Sequence, residues 1–467
     1  MSNQKGNETA QAVKMNRAKP YQLVLFPMNN GATNVYYILT MNFIAYYANG
    51  VLGLALMFAT TMVTVMRLFD AVTDPIIGAL IDRTNSKFGK FRPYMVLGNV
   101  IMIVSSILLY FGTRIIAPDM QWLRYVCFVL FYALYVIGYT FQTACTRSGQ
   151  TCLTNDPKQR PMFTIFNTIA SLIGMGLVQF LAPILSDRLG GYNSANFFDF
   201  MIPLAIVVSA VLTLLAVIGI WEKDRPEFFG VGNKQEKVKL KEYIAILKAN
   251  KELQRLMVAG AGCKLAFSIA TNMTVLCMLY GAMMGDYGGL YLPMMIVGYI
   301  FSVPFFLLTV KTSQKHGQKA SLVRYTMLAR VMYTGVLVLL LLWKQGVPAF
   351  NLSLRSINVY TVLFVIFFGV GYGAYYATAD MPIPMVADCS DYETYRSGQY
   401  VPGIMGTLFS LVDKLVSSLG STIVGAAVAM IGIQTLPDSK TPYSFGMHGV
   451  VLILFCIVPM IAWLATL

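Results

Sequence analysis

The stretch Arg67-Leu-Phe-Asp-Ala-Val-Thr-Asp-Pro-Ile-Ile-Gly-Ala-Leu-Ile-Asp-Arg-Thr-Asn-Ser-Lys-Phe-Gly-Lys-Phe-Arg-Pro93 sets Arg67, Asp70 and Asp74 inside an otherwise apolar run and then leaves that run through a short basic loop. A membrane-spanning helix resists such residues, at roughly 2.5 to 3.5 kcal/mol for each Asp or Arg near its centre. Their presence is therefore a functional hypothesis by default, and the loop behind them marks one face of the membrane.

Composition agrees with a membrane setting. The chain has 467 residues, of which 57% are hydrophobic and only 12% charged, against roughly 25% charged in soluble domains. Twelve apolar runs of span length can be placed, near Leu23–Asn49, Leu54–Ile81, Pro93–Gly112, Trp122–Cys145, Met162–Leu185, Phe197–Trp221, Met257–Met284, Leu290–Val310, Leu322–Leu342, Tyr360–Val386, Val401–Ile433 and Met447–Leu467. Backbone groups in lipid must bond internally, so these runs are expected to be helices.

Residues 1–20 are polar, carry Lys5, Lys14, Arg17 and Lys19, and read as a cytoplasmic tail and not a signal peptide. With the N-terminus inside, 25 of the 35 Lys and Arg fall on the cytoplasmic side and only Arg114, Arg124, Arg188, Lys344, Arg355 and Lys440 outside. That bias sets both termini in the cytoplasm of a multi-pass plasma (inner) membrane protein. It also accounts for the net charge of +14 without invoking nucleic acid. The seven cysteines are scattered without CxxC spacing and read as buried thiols.

The longest polar interruption, residues 222–255, divides the spans six and six, with bundles expected at 21–221 and 256–467. Within it Leu240 to Leu253 has apolar residues at helical spacing between lysines, the pattern of a linker helix on the membrane surface. The two halves also echo each other. Thr84, Lys87 and Gly89 recur as Thr312, Lys315 and Gly317, each 228 positions on. An equivalent loop in each half argues for two duplicated bundles that rock about a site at the midplane.

Asp70 and Asp74, four apart, lie on one helical face with Thr73 nearby. Two carboxylates this close repel until a cation or proton neutralises them. Hard oxygen ligands suit Na⁺, Li⁺ or H⁺. The competing reading is an assembly pair with Arg67, but one Arg cannot neutralise both acids. Thr140 and Thr143 at helical spacing offer hydroxyls to an ion or a polyol, or bond their own backbone. Arg147 either reaches an anionic group of a substrate or snorkels to the surface. Lys414, beside Asp413 deep in the eleventh run, reads as a charge-paired gating or coupling residue, whereas Lys264, Arg330 and Asp380 read as snorkelling or locally paired. No phosphate loop and no nucleophile with a nearby base occurs, and the only histidines, His316 and His448, sit at span edges. An enzyme is the least supported class, and energy is expected from an ion gradient.

The chain resembles the glycoside-pentoside-hexuronide cation symporters, a sugar-transporting branch of the major facilitator superfamily. The resemblance rests on Arg67 to Pro75 with Gly78 and the basic segment to Pro93, and on Ala387-Asp-Cys-Ser-Asp-Tyr-Glu-Thr-Tyr-Arg-Ser-Gly398 followed by Lys414. It implies an all-α membrane protein of twelve transmembrane helices in two six-helix bundles, moving a sugar with Na⁺, Li⁺ or H⁺ by alternating access. It places the cation site on Asp70 and Asp74 with Thr73 and Thr140, the cavity lysine on Lys414, and the sugar site at Asn34, Thr143 and Asn167; beside these, the residues themselves put Arg67 with Lys414 in coupling and gating, and Arg147 at the substrate. Melibiose permease has charged residues where this chain has Asn34, Thr143 and Asn167, so galactoside recognition is not implied. The expected partners are a small-molecule sugar, a monovalent cation and membrane lipid, with no cofactor, and the functional unit is a monomer. Alternatives built on the same scaffold are a carrier of lysolipids or drugs and a non-transporting nutrient sensor.

Overall fold

The computed structural model describes residues 16–84, 86–154, 156, 159–228, 250–397 and 402–467. Among them there is no β-strand. The elements are α1 (Pro20–Leu25), α2 (Met28–Tyr46, continued by a wider turn Tyr47–Val51), α3 (Leu56–Arg83), α4 (Arg92–Ile115), α5 (Gln121–Leu153), α6 (Gln159–Leu189), α7 (Ala195–Ile220), α8 (Lys251–Ala270), α9 (Met273–Met283), α10 (Tyr287–His316), α11 (Gln318–Leu342), α12 (Val359–Thr378), α13 (Pro382–Ser397), α14 (Pro402–Met430) and α15 (Met447–Thr466). The linker helix expected from Leu240 falls mostly on residues 229–249, outside the described residues.

Among the described residues, ten helices are long and apolar enough to cross a membrane, or eleven if α8 and α9, bent by 45°, form one span. The first expected span is where the count falls short of twelve. Its helix α2 is 19 residues long and the turn after it adds 5, about 36 Å of helix and ample for a bilayer. Its composition, however, is diluted by Asn29, Thr33, Asn34 and Thr40. All four are buried against other helices, where Asn29 Nδ2 donates to Thr146 Oγ1 on α5 at 2.7 Å. A helix that hides polar groups inside the bundle does not announce itself by hydropathy. The expected tenth span is also interrupted, by a turn at Ala379–Met381 between α12 and α13.

Helix α3 shows how the sequence sorts the two surroundings. Leu68, Val72, Ile76 and Leu80 form an exposed apolar stripe at i,i+4 spacing, while Asp70 and Thr73 are buried on another face. Pro75 has no N–H to give, so the Ala71 carbonyl loses its helical partner one turn before the proline. The buried side of α3 packs antiparallel along α14: Thr60 lies against Gly425, and Thr64 Oγ1 is 2.9 Å from both the Ser418 carbonyl and Thr422 Oγ1. A Cβ on Gly425 would sit 2.2 Å from Thr60 Oγ1, so glycine is what lets these two helices touch.

Most helix pairs form within residues 20–220 or within 251–466, and α3 with α14 is the main pair that joins the two. Three further joins lie at the end of the molecule away from the basic loops. Tyr46 Oη donates to the Pro437 carbonyl at 2.8 Å, Leu436 N donates to Asn49 Oδ1 at 2.9 Å, and Asn193 Nδ2 donates to the Leu436 carbonyl at 2.8 Å. The segment after α14 thus latches that end. The seven cysteines form no disulfide, and six are buried.

The sequence repeat is present in three dimensions. Thr84 Oγ1 meets Tyr94 Oη at 2.6 Å, and Thr312 Oγ1 meets Tyr325 Oη at 2.9 Å. Gly89 and Gly317 both adopt positive φ, +97° and +87°, a turn geometry that favours glycine.

Candidate cation and substrate site

Helix α3 presents Asp70 and Asp74 one turn apart, and α14 brings Lys414 between them. Lys414 Nζ lies 2.8 Å from Asp70 Oδ2 and 2.5 Å from Asp74 Oδ2. Arg67 Nη1 is 3.2 Å from the same Asp70 oxygen, and Arg147 Nη1 from α5 is 3.6 Å from Asp74 Oδ2. The other Asp70 oxygen is 2.9 Å from Thr140 Oγ1, which in turn is 3.1 Å from Thr73 Oγ1. Of the expected cation set, Asp70, Thr73 and Thr140 are thus linked through their oxygens, and Asp74 joins them through the Lys414 ammonium.

Its electrostatics differ from the sequence reading. Within the apolar run Leu54–Ile81, Arg67 is the only cationic side chain. In the folded chain three cationic side chains, Arg67, Arg147 and Lys414, face two carboxylates. Lys414 does not pair with its neighbour Asp413. Successive residues on a helix point about 100° apart, and Asp413 turns towards α8, where its Oδ1 is 3.6 Å from Lys264 Nζ. Arg147 approaches Asp74 to within 3.6 Å while its side chain stays 63% exposed.

On the side of Asp70 towards the latched end, Tyr37, Thr40, Arg67, Tyr132 and Tyr139 enclose a small cavity. The Arg67 guanidinium lies over the Tyr37 ring at 5.3 Å and its Nε is buried without a hydrogen-bond partner. These tyrosines escaped the sequence reading because aromatic residues in spans carry no distinguishing spacing.

The expected sugar residues fall into two groups. Asn34 on α2 donates to the Asn30 carbonyl at 2.7 Å and to Asn30 Oδ1 at 3.0 Å, and Asn30 Nδ2 donates to the Asn167 carbonyl on α6 at 3.2 Å. Asn167 Oδ1 is buried without a partner. Asn30, not singled out from the sequence, is the link in this chain of amides. Thr143 and Arg147 stay with the carboxylate cluster on α5, and the Thr143 hydroxyl donates to the Thr140 carbonyl at 3.1 Å. No group of three or more His, Cys, Asp or Glu positioned to hold a metal ion occurs among the described residues.

The profile of the MFS/sugar transport protein family matches residues 26–467. The chain belongs to that family. It is a transporter and not an enzyme, and its kinship with the glycoside-pentoside-hexuronide cation symporters stands. Among relatives, an uncharacterized symporter of Bacillus subtilis (strain 168), YnaJ, is 24% identical over 422 residues, covering 88% of this chain and 83% of its own. A putative glycoside/cation symporter of Escherichia coli (strain K12), YagG, is 24% identical over 427 residues, covering 91% and 85%. The crystal structure of a D-xylose-proton symporter superposes with a TM-score of 0.61 at 15% identity over 96% of this chain and 97% of its own, a likeness of fold. This transporter is accordingly an all-helical, multi-pass membrane protein.

Proposed function

We propose that the chain couples uptake of a sugar to entry of Na⁺, Li⁺ or H⁺, working as a monomer with both termini in the cytoplasm of the plasma membrane. On this reading twelve helices form two bundles, residues 21–221 and 256–467, joined by a cytoplasmic linker at 222–255. The observation that carries it is the Lys414 ammonium from one half seated between Asp70 and Asp74 of the other. An ammonium is a monovalent cation held by oxygens, so the cluster already stabilises the charge that a coupling ion would bring.

Exchange follows from this arrangement. An ion that takes the oxygens of Asp70, Asp74, Thr73 and Thr140 displaces the Lys414 ammonium, and the strongest bond between the halves at that level is released. With the basic loops on the cytoplasmic side, the latch of Tyr46, Asn49 and Asn193 closes the outer end, which is an inward-facing state. Sugar recognition in the first half falls to Asn34, Asn167, Thr143 and Arg147. Arg147 already faces Asp74, which supports a neutral sugar over a hexuronide.

The test is uptake into proteoliposomes of D-xylose, lactose and methyl β-D-glucuronide, each driven by a Na⁺, a Li⁺ or a proton gradient. Accumulation with one ion is expected for the wild type and abolished in both Asp70→Asn and Asp74→Asn. Undiminished ion-driven accumulation in both variants overturns the assignment.

A further inference from the structure

A second charged cluster lies in the other half, and the coupling reaction just described does not use it. Lys264 on α8 is 2.5 Å from Asp380 Oδ1 and 3.6 Å from Asp413 Oδ1. Asp380 sits in the turn that breaks α12 from α13, and its side chain is 73% exposed. Asp413 Oδ1 is buried, and the Lys264 ammonium stands beside it at 3.6 Å, ion-pair range but longer than a hydrogen bond. One ammonium thus serves two carboxylates, and one carboxylate oxygen is left in need of an O–H or N–H.

The cluster borders the other half. Lys264 lies within electrostatic reach of Tyr37, and Asp413 within reach of Arg67, the two residues that wall the small cavity beside Asp70. It is bordered by rings. Phe267, one turn along α8, lies tilted against Tyr376 at 5.7 Å, and Tyr376 meets Tyr299 edge-on at 5.7 Å. Tyr299 reaches across the halves to Gln179 on α6 at 3.2 Å.

We infer that Lys264, Asp413 and Asp380 form a hydroxyl-binding subsite for the transported sugar, contributed by the second half, with Tyr376 and Tyr299 as the apolar surface beside it. This rests on the sugar reading above. A vicinal diol matches the arrangement. One hydroxyl donates to the unmet Asp413 oxygen, and the neighbouring oxygen accepts from Lys264. Aromatic faces next to such groups accept the C–H side of a pyranose ring. The excess of one negative charge disfavours a carboxylate in this position, so the subsite selects neutral sugars. Because Asp413 and Lys414 are adjacent on α14, a sugar held at one and an ion held near the other act on the same helix from two sides.

The experiment uses the purified full-length chain with its coupling ion present. The sugar of the panel above that binds best is titrated alongside its monodeoxy analogues, with protein fluorescence as readout. In the wild type, at least one deoxy position is expected to weaken binding roughly tenfold or more. Asp413→Asn is expected to bind the parent and that analogue nearly alike, while still discriminating the other positions. Asp380→Asn is expected to narrow the preference for the neutral sugar over the glucuronide. A merely structural ion pair would lower affinity for every analogue in proportion and leave the ratios intact, and that result overturns the subsite while leaving the sugar reading standing. If no sugar binds the wild type, the sugar reading falls and the subsite with it. Should Asp413→Asn fail to fold, Lys264→Gln/Asp413→Asn removes both charges together and carries the same expected loss of discrimination.

Discussion

Asp413 and Lys414 are neighbours on α14, yet they belong to clusters of opposite balance. Lys414 joins Arg67 and Arg147 around two carboxylates on the side of the first half, and Asp413 joins Asp380 around one ammonium on the side of the second. The first carries one positive charge too many and the second one negative charge too many, so together they are neutral. The imbalance shows how each side can respond. The first cluster has no carboxylate left for an arriving cation unless a resident one gives way. The second can accept a donor without losing anything. On the proposed reading, an ion competes where a sugar hydroxyl adds.

The largest break in this contrast comes from removing the resident cation. Lys414→Ala leaves Asp70, only 2% exposed, with Arg67 alone at 3.2 Å. The loss of this buried ammonium is expected to lower the thermal midpoint, and ion-driven accumulation is expected to fall at least tenfold. Because Na⁺ or Li⁺ can fill the gap, the variant is expected to gain more in midpoint from the coupling ion than the wild type does. An equal gain in both proteins would mean that Lys414 and the ion do not share the site.

How much of this was legible depends on what a helix hides. Asp70 and Asp74 stood out because four-residue spacing fixes a common face whatever the partners are. The depth of Lys414 was equally readable. Its partners were not, because they lie 344 and 340 positions away, and the residue beside it in sequence points elsewhere. The same limit applied to Asn30, whose role appears only when α2 and α6 come together, and to Lys264 with Asp380, readable as a local pair but not as a face turned towards the other half. The polar helix α2 shows the converse. Its buried amides make it a poor span by composition and the scaffold of the amide chain through Asn34.

The two halves differ again at their repeated loops, and a middle-sized effect tests that difference. The carboxylate of Asp224, fully buried at the end of α7, accepts from the N–H groups of Lys90 at 2.8 Å, Phe91 at 3.0 Å and Arg92 at 2.9 Å. This holds the start of α4 and places negative charge at its N-terminus. In the second half α11 begins at Gln318, and nothing stands within 4 Å of the Cβ position of Gly317, whereas the Cβ position of Gly89 in the first half lies against the Asp224 carboxylate. Asp224→Asn keeps one acceptor oxygen and the shape but loses the charge. It is expected to cost roughly 1.5–3 kcal/mol, read as a drop in thermal midpoint and as faster proteolysis in the loop from Arg83. A variant as stable as the wild type would mean that the first loop is held no more firmly than the second.

The smallest effect lies where the loops are most alike. Thr84 with Tyr94 and Thr312 with Tyr325 make the same hydroxyl pair, so a strict repeat predicts equal losses from Tyr94→Phe and Tyr325→Phe. Burial argues otherwise. Thr312 and Tyr325 are 8% and 7% exposed, whereas Thr84 and Tyr94 are only partly buried. Water can replace the lost hydroxyl at Thr84, but at Thr312 the remaining oxygen stays dry. Tyr325→Phe is thus expected to cost about 1 kcal/mol and Tyr94→Phe a few tenths, compared by thermal midpoints of the two variants in the same detergent. A larger loss from Tyr94→Phe would place the more rigid loop in the first half and tie it to the carboxylates on α3, one helix upstream.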